Sequence, residues 1–413
     1  MTKNPNSPES AMKPSKRGSG RLGRIRGKHY ATSEFVEIVC QDGLIQTIGT
    51  PTQEPADVEG EWLAPALFDL QINGCDGHSF NSDQLTVESV RHVVDVCRRH
   101  GIGGLCPTLV TNSFAAIAHG LSTIRRACET DQELARAIPA IHLEGPYISA
   151  EDGPRGAHPR DHVRRPDWDE FQRWQHAAGG RIRLVTLAPE LPGALEFIER
   201  LVTTNVVVSL GHTAASPARI REAISAGARL STHLGNGCHA VLPRHENYLW
   251  EQLAADELWA SVIGDGHHLP PAILRCILRV KTPARVILTC DAGSLAGMPP
   301  GRYREWDQEL EVLPEGKIVV ADSGFLAGSW AFTDRCIGQV VRDAGVSLRE
   351  AVDMASVRPR ELLGLPVHSL EAGQPADIVL FDWNGSRYEF RPLAIIVGGK
   401  TIRAAHEASL RAK

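Results

Sequence analysis

Eight short apolar runs, most followed by an amphipathic segment, set the tightest limit on what this chain can fold into. The runs fall at 63–72, 104–110, 138–143, 182–187, 206–210, 230–234, 259–263 and 285–289. Helical patterns lie between most of them. One covers 85–99, with apolar residues at Val87, Val90, Val93, Val94 and Cys97; others cover 194–202 and 216–226, the last opening on Ser-Pro, which suits an N-cap and first turn. Eight strand-then-helix units in succession fit a (β/α)8, TIM-like barrel of the α/β class better than an open doubly wound sheet. Periodicity alone does not close a barrel, so the open sheet stands as the alternative.

The two ends carry a different pattern. "FVEIVCQDGLIQTIG" early, and "ADIVLFD" and "LAIIVGGKTIRA" late, are short β-type pieces with Gly turns. Neither end makes a stable sheet alone. Residues 26–62 and 370–413 are therefore expected to form one small β domain from both termini, with the barrel, 63–369, inserted between them. Residues 1–25, rich in Ser, Pro, Gly, Lys and Arg, are expected to be a disordered basic tail. The tail has no apolar stretch of secretory type, and no run approaches the ~18 apolar residues of a membrane span.

Composition narrows the function classes. Of 413 residues, 42% are hydrophobic and 23% charged, the balance of a soluble globular protein, and a net charge of −5 argues against a nucleic-acid or anionic-membrane surface. Nine scattered cysteines with no C-x-x-C pair argue against a disulfide framework or a thiolate zinc site, so a reducing cytoplasm is the expected compartment.

Barrel chemistry collects at the C-terminal ends of the strands. Those ends supply Gln71 and Asn73 after the first run, Glu144 after the third, His212 after the fifth, His233 in the sixth and Asp291 after the eighth. One carboxylate and two imidazoles suit a divalent ion such as Zn²⁺ or Fe²⁺, with a fourth position left for water and Asp291 placed to take its proton. Singly, each residue has an ordinary reading: a structural histidine, a glutamate capping the turn at Gly-Pro, an aspartate in a tight turn. Their recurrence at corresponding places in independent units favours a site.

The stretches "APALFDLQINGCDG" (64–77), "CPTLVTNS" (106–113), "HLEGPYIS" (142–149), "VTLAPE" (185–190), "VVSLGHTAAS" (207–216), "STHLGNG" (231–237), "DGHHLP" (265–270), "LTCDAGSLAG" (288–297) and "LAGS" (326–329) occur in this order. As a set they resemble the N-acetylglucosamine-6-phosphate deacetylase family of the amidohydrolase superfamily. The likeness runs from about residue 63 to 365, with the "GQPADIVLFD" return strand (373–382) beyond it.

The resemblance implies a metal held by Glu144, His212 and His233, with Asp291 as general base and then general acid, releasing acetate and glucosamine 6-phosphate. Where many amidohydrolases carry His-x-His for a second metal, this chain reads Gln71-Ile72-Asn73, so one ion per subunit, zinc first, is expected. His158 matches the family histidine that reaches the substrate near its carbonyl. Arg244, His268 and the backbone around Asn236 and Gly237 match the phosphate ligands, and Ala157, Leu326, Ala327 and Gly328 the sugar pocket. The family arginine reaches across a subunit interface, which implies a homodimer.

"GCHAVLPRHENYLWEQ" (237–252) departs from the family pattern through His239, His245, Tyr248 and Trp250. It is either a packing loop or a changed substrate pocket. Two rival functions stay open: an amidohydrolase acting on an unphosphorylated N-acyl sugar, an N-acyl amino acid or a cyclic amide, and a non-catalytic sugar-phosphate sensor. A sensor has no need of Asp291.

Overall fold

The computed structural model of the chain describes residues 23–305, 308–322 and 324–403. Eight parallel strands pair in chain order. They are β1 (Leu67–Ile72), β2 (Ile102–Val110), β3 (Ile141–Glu144), β4 (Ile182–Leu187), β5 (Val207–Leu210), β6 (Leu230–Ser231), β7 (Trp259–Ile263) and β8 (Val286–Thr289). The expected TIM-like barrel is present. Its strands are buried on both faces, as helix-covered parallel strands must be. The helix Val87–Arg99 shows how its neighbours form. Val90, Val93, Val94 and Cys97 make its buried stripe, the Thr86 hydroxyl accepts from the Ser89 N–H at the N-cap, and Arg98 and Arg99 close the last turn.

The barrel closes on β1 through an isolated bridge from Ile72 to Ala292, three residues beyond β8, and through a side chain. Asp69, wholly buried, accepts from the hydroxyls of Thr289 and Thr333 and from the backbone N–H groups of Gln71 and Cys290. Four donors spread over β1, β8 and the helix Thr333–Ala344 thus complete the seam where the backbone ladder is short.

Strands within 23–65 and 378–403 build one seven-stranded sheet, and the rest of the expected small β domain, 404–413, lies outside the described residues. Val58–Pro65 is the hinge of this sheet, pairing parallel with Gly23–His29 on one side and antiparallel with Ile378–Asn384 on the other. Ile25, Ile38, Ile45, Leu63, Ile378 and Leu380 form its separate core.

Several boundaries differ from expectation. The run at 63–72 is two strands in two sheets: Leu63–Pro65 belongs to the seven-stranded sheet and only Leu67 onward to the barrel. Both pieces are apolar and buried, so no change of pattern marks the switch at Ala66. The first strand begins at Gly23, three residues inside the segment read as tail, because buried Glu37 takes Arg24 and Arg26 as ion-pair partners and Ile25 points into the core. The rest of that tail, 1–22, lies outside the described residues. Ile138 caps the helix Gln132–Ala137 rather than opening β3, and β6 spans two residues, leaving His233 beyond it. A four-stranded antiparallel sheet, Gly301–Glu305, Gln308–Val312, Lys317–Val320 and Leu326–Ser329, intervenes between β8 and its helix. Its alternating, largely half-exposed strands lack the continuous apolar runs that revealed the barrel.

Candidate active site

Glu144 is the last residue of β3, and its carboxylate is almost fully buried. His212 lies two residues beyond β5 and His233 two beyond β6. Glu144 Oε1 stands 3.1 Å from His212 Nε2 and 3.0 Å from His233 Nε2, and the two nitrogens are 3.0 Å apart. His212 Nδ1 donates to the Pro154 carbonyl at 2.8 Å, which in a neutral ring leaves the Nε2 lone pair facing the carboxylate. The donor set, one carboxylate oxygen and two imidazole nitrogens converging in a buried space, fits a divalent ion. Burial works to raise the Glu144 pKa, but the two imidazoles more than offset it and hold the group well below the usual carboxylate range.

The backbone is bent to deliver these groups. His212, His233 and Asp291 all have left-handed φ values, 51°, 33° and 53°, a conformation that costs a non-glycine residue about 1–3 kcal/mol. Gly237, at φ 55°, passes so close that a Cβ there would sit 2.8 Å from His212 Nδ1 and 3.3 Å from His233 Cε1.

Gln71 and Asn73 alternate on β1 and just past it, so their side chains share a face. Gln71 Nε2 donates to Glu144 Oε2 at 2.9 Å, and Asn73 Nδ2 donates to Asp291 Oδ1 at 2.7 Å. Each amide therefore holds one carboxylate of the site. Burial first, then the negative charge of Glu144, push the Asp291 carboxyl up to about 8. The Asn73 Oδ1 atom is buried with no partner.

His158 is brought against the cluster, its ring centroid 4.3 Å from that of His212, with Nδ1 2.8 Å from Thr111 Oγ1 at the end of β2. Burial, followed by the neighbouring His212, lowers its pKa to about 3, so the ring is neutral. Ala157 is half-buried beside it. The strand carrying Leu326, Ala327 and Gly328 runs past Asp291, with Ser329 N–H donating to the Asp291 carbonyl at 2.9 Å. Asn236 ties its side chain back to the His233 carbonyl at 3.2 Å. His268 sits in the turn after β7, which packs Leu269 against Gly235. Arg244 is exposed, and no contact among the described residues joins its guanidinium to the cluster.

Three contributors escaped the sequence reading: the Pro154 carbonyl, Thr111 and Asp265, which bonds to His268. Thr111 and Asp265 lie inside quoted motifs, but only the fold shows which side chain each one meets.

A barrel whose strand ends gather a buried Glu-His-His cluster and an elevated carboxyl is the framework of a hydrolase that uses a divalent metal. The amidohydrolase family model matches residues 62–402, and the chain belongs to that family. It is 37% identical to the N-acetylglucosamine-6-phosphate deacetylase of Bos taurus over 345 residues, 80% of this chain and 81% of the relative. It is 33% identical to the N-acetylgalactosamine-6-phosphate deacetylase of Escherichia coli O157:H7, covering 83% of this chain and 89% of that one. Its fold matches the crystal structure of N-acetyl-D-glucosamine-6-phosphate deacetylase from Mycobacterium smegmatis with a TM-score of 0.82, at 30% identity over 92% of this chain and all of that chain (100%).

Proposed function

We propose that this chain hydrolyses the acetamide of N-acetylglucosamine 6-phosphate to glucosamine 6-phosphate and acetate, using one divalent ion, zinc first among the candidates, held by Glu144, His212 and His233. The observation that carries the reading is Asp291, a carboxyl with a raised pKa held by Asn73 beside the metal-type cluster. A divalent ion bound there lowers the pKa of water and polarises the acetamide carbonyl. Asp291 takes the proton of the attacking water and returns it to the departing amine. The neutral His158 imidazole, its Nδ1 engaged by Thr111, is assigned to the substrate carbonyl. Gln71 keeps Glu144 oriented, and the absence of a His-x-His pair at 71–73 supports a single ion.

Phosphate binding is assigned to His268, Arg244 and the Asn236–Gly237 backbone, with Ala157 and residues 326–328 lining the sugar pocket. Arg244 fits this role as a contribution from a second subunit, since its own chain leaves it exposed. Exposed Trp250, whose indole N–H donates to the Arg244 carbonyl at 3.2 Å, supports a homodimer as an apolar side chain next to that arginine. No helix among the described residues is long and apolar enough to cross a membrane. The nine free cysteines support a cytoplasmic site of action.

A second reading, the 4-epimer N-acetylgalactosamine 6-phosphate, is favoured by the E. coli relative. Acetate release by zinc-reconstituted protein from both phosphorylated sugars and from unphosphorylated N-acetylglucosamine, beside Asp291→Asn, separates the readings. Turnover of N-acetylglucosamine 6-phosphate ahead of the other two, lost in the variant, is expected. Preference for the galactosamine ester selects the second reading, and turnover of the free sugar alone overturns both.

A further inference from the structure

Two residues beyond β7, Asp265 is closed off from solvent with both oxygens engaged. Oδ1 accepts from the backbone N–H groups of His267 and His268, at 2.8 and 3.0 Å, and Oδ2 lies 2.7 Å from His268 Nδ1. The side chain is 2% exposed and that of His268 7%. Among the described residues no other cation pairs with Asp265, and no partner engages His268 Nε2. Other polar groups near this turn include the Cys336 thiol, whose pKa burial raises well above its ordinary value, and the Gln339 amide, which lies against Gly266 and donates to the Asp343 carboxylate at 2.5 Å. Neither the thiol nor the amide carries charge at neutral pH.

A buried carboxylate without a counter-charge is expensive, and the imidazole of His268 is the group positioned to supply one. With Nδ1–H spent on Asp265, a doubly protonated ring has one donor left, Nε2–H, and that donor carries positive charge. The same turn packs Leu269, the next residue, against Gly235, which precedes the Asn236–Gly237 backbone assigned to the phosphate.

We propose that Asp265 is a positioning residue for the phosphate end of the substrate, holding His268 as an imidazolium whose Nε2–H donates to a phosphate oxygen. This rests on the reading of the site as one for a phosphorylated amino sugar. A neutral His268 would present a lone pair at Nε2, suited to a sugar hydroxyl and repelled by a phosphate.

The test uses zinc-loaded protein with Asp265→Asn, Asp265→Glu, His268→Gln and the Asn/Gln double variant. In Asp265→Asn the KM for the phosphorylated sugar rises about tenfold with kcat within about twofold, the loss of one charge-assisted contact. Asp265→Glu recovers part of that loss, and Asp265→Asn adds nothing in the His268→Gln background. Side-chain ¹⁵N spectra near neutral pH show both His268 ring nitrogens protonated in the parent chain and one in Asp265→Asn. A neutral His268 ring in the parent chain overturns the proposal, as does a kcat loss that His268→Gln does not absorb. The spectra need no turnover. An imidazolium in a chain that leaves the sugar phosphate intact supports the pair while overturning the substrate reading.

Discussion

Asn73 Nδ2 donates to Asp291 Oδ1 at 2.7 Å, joining the residue just past β1 to the one two positions beyond β8. The bond spans the seam where the barrel closes, so the geometry of the proposed base depends on the closure itself. Removing it in Asn73→Ala leaves a buried carboxyl free to rotate. A kcat loss of about 10–100-fold is expected, less than the ~10²–10⁴-fold that general acid–base catalysis as a whole supplies because the carboxyl itself remains, with zinc content unchanged. Steady-state kinetics beside atomic absorption check this, and loss of metal in step with activity would assign Asn73 to the metal instead.

Gln71 acts on the other carboxylate. Its Nε2 donation to Glu144 Oε2 fixes which oxygen faces His212 and His233. Gln71→Ala is expected to weaken zinc binding by about 10–100-fold, as loss of an outer partner of a metal ligand does. Competition with a chromogenic chelator measures it.

Gly237 admits no side chain. Alanine there meets a left-handed φ of 55° and a contact of 2.8 Å to His212 Nδ1. A stability loss of about 1–3 kcal/mol in urea unfolding is expected, with reduced zinc stoichiometry because the displaced ring is a proposed ligand.

These three sites show how much of the molecule was legible in advance. Glu144, His212 and Asp291 stood out because each follows a clear apolar run, and a strand's end is visible wherever burial stops abruptly. His233 was legible inside the sixth apolar run, 230–234, although the strand itself stops at Ser231 and leaves the histidine two residues beyond it. The switch of sheets at Ala66 was hidden because burial, which apolar patterning reports, is equally complete on both sides. Thr111, Asp265 and the Pro154 carbonyl were hidden for another reason. Their importance lies in one hydrogen bond each to a residue 47, 3 or 58 positions away, and residue type alone does not specify a partner.

Asp265 also makes a prediction in acid. Burial raises its pKa, but the hydrogen bond and charge of His268, with two backbone N–H groups, win and lower it to about 2 from 3.8. The folded state thus binds this proton more weakly than the unfolded chain. The contribution to stability is complete above about pH 4 and is lost as pH falls toward 2. Its size is about 2 kcal/mol. Urea unfolding of the parent chain and Asp265→Asn from pH 5 downward should show the gap between them closing across that window.

The most direct test of the account is acetate release from N-acetylglucosamine 6-phosphate by metal-stripped protein titrated with zinc. The Glu144, His212 and His233 cluster, with amides at 71 and 73, predicts activity rising to a plateau at one equivalent per chain. A plateau only at two equivalents, or no acetate at any zinc level from protein with zinc bound, would contradict it.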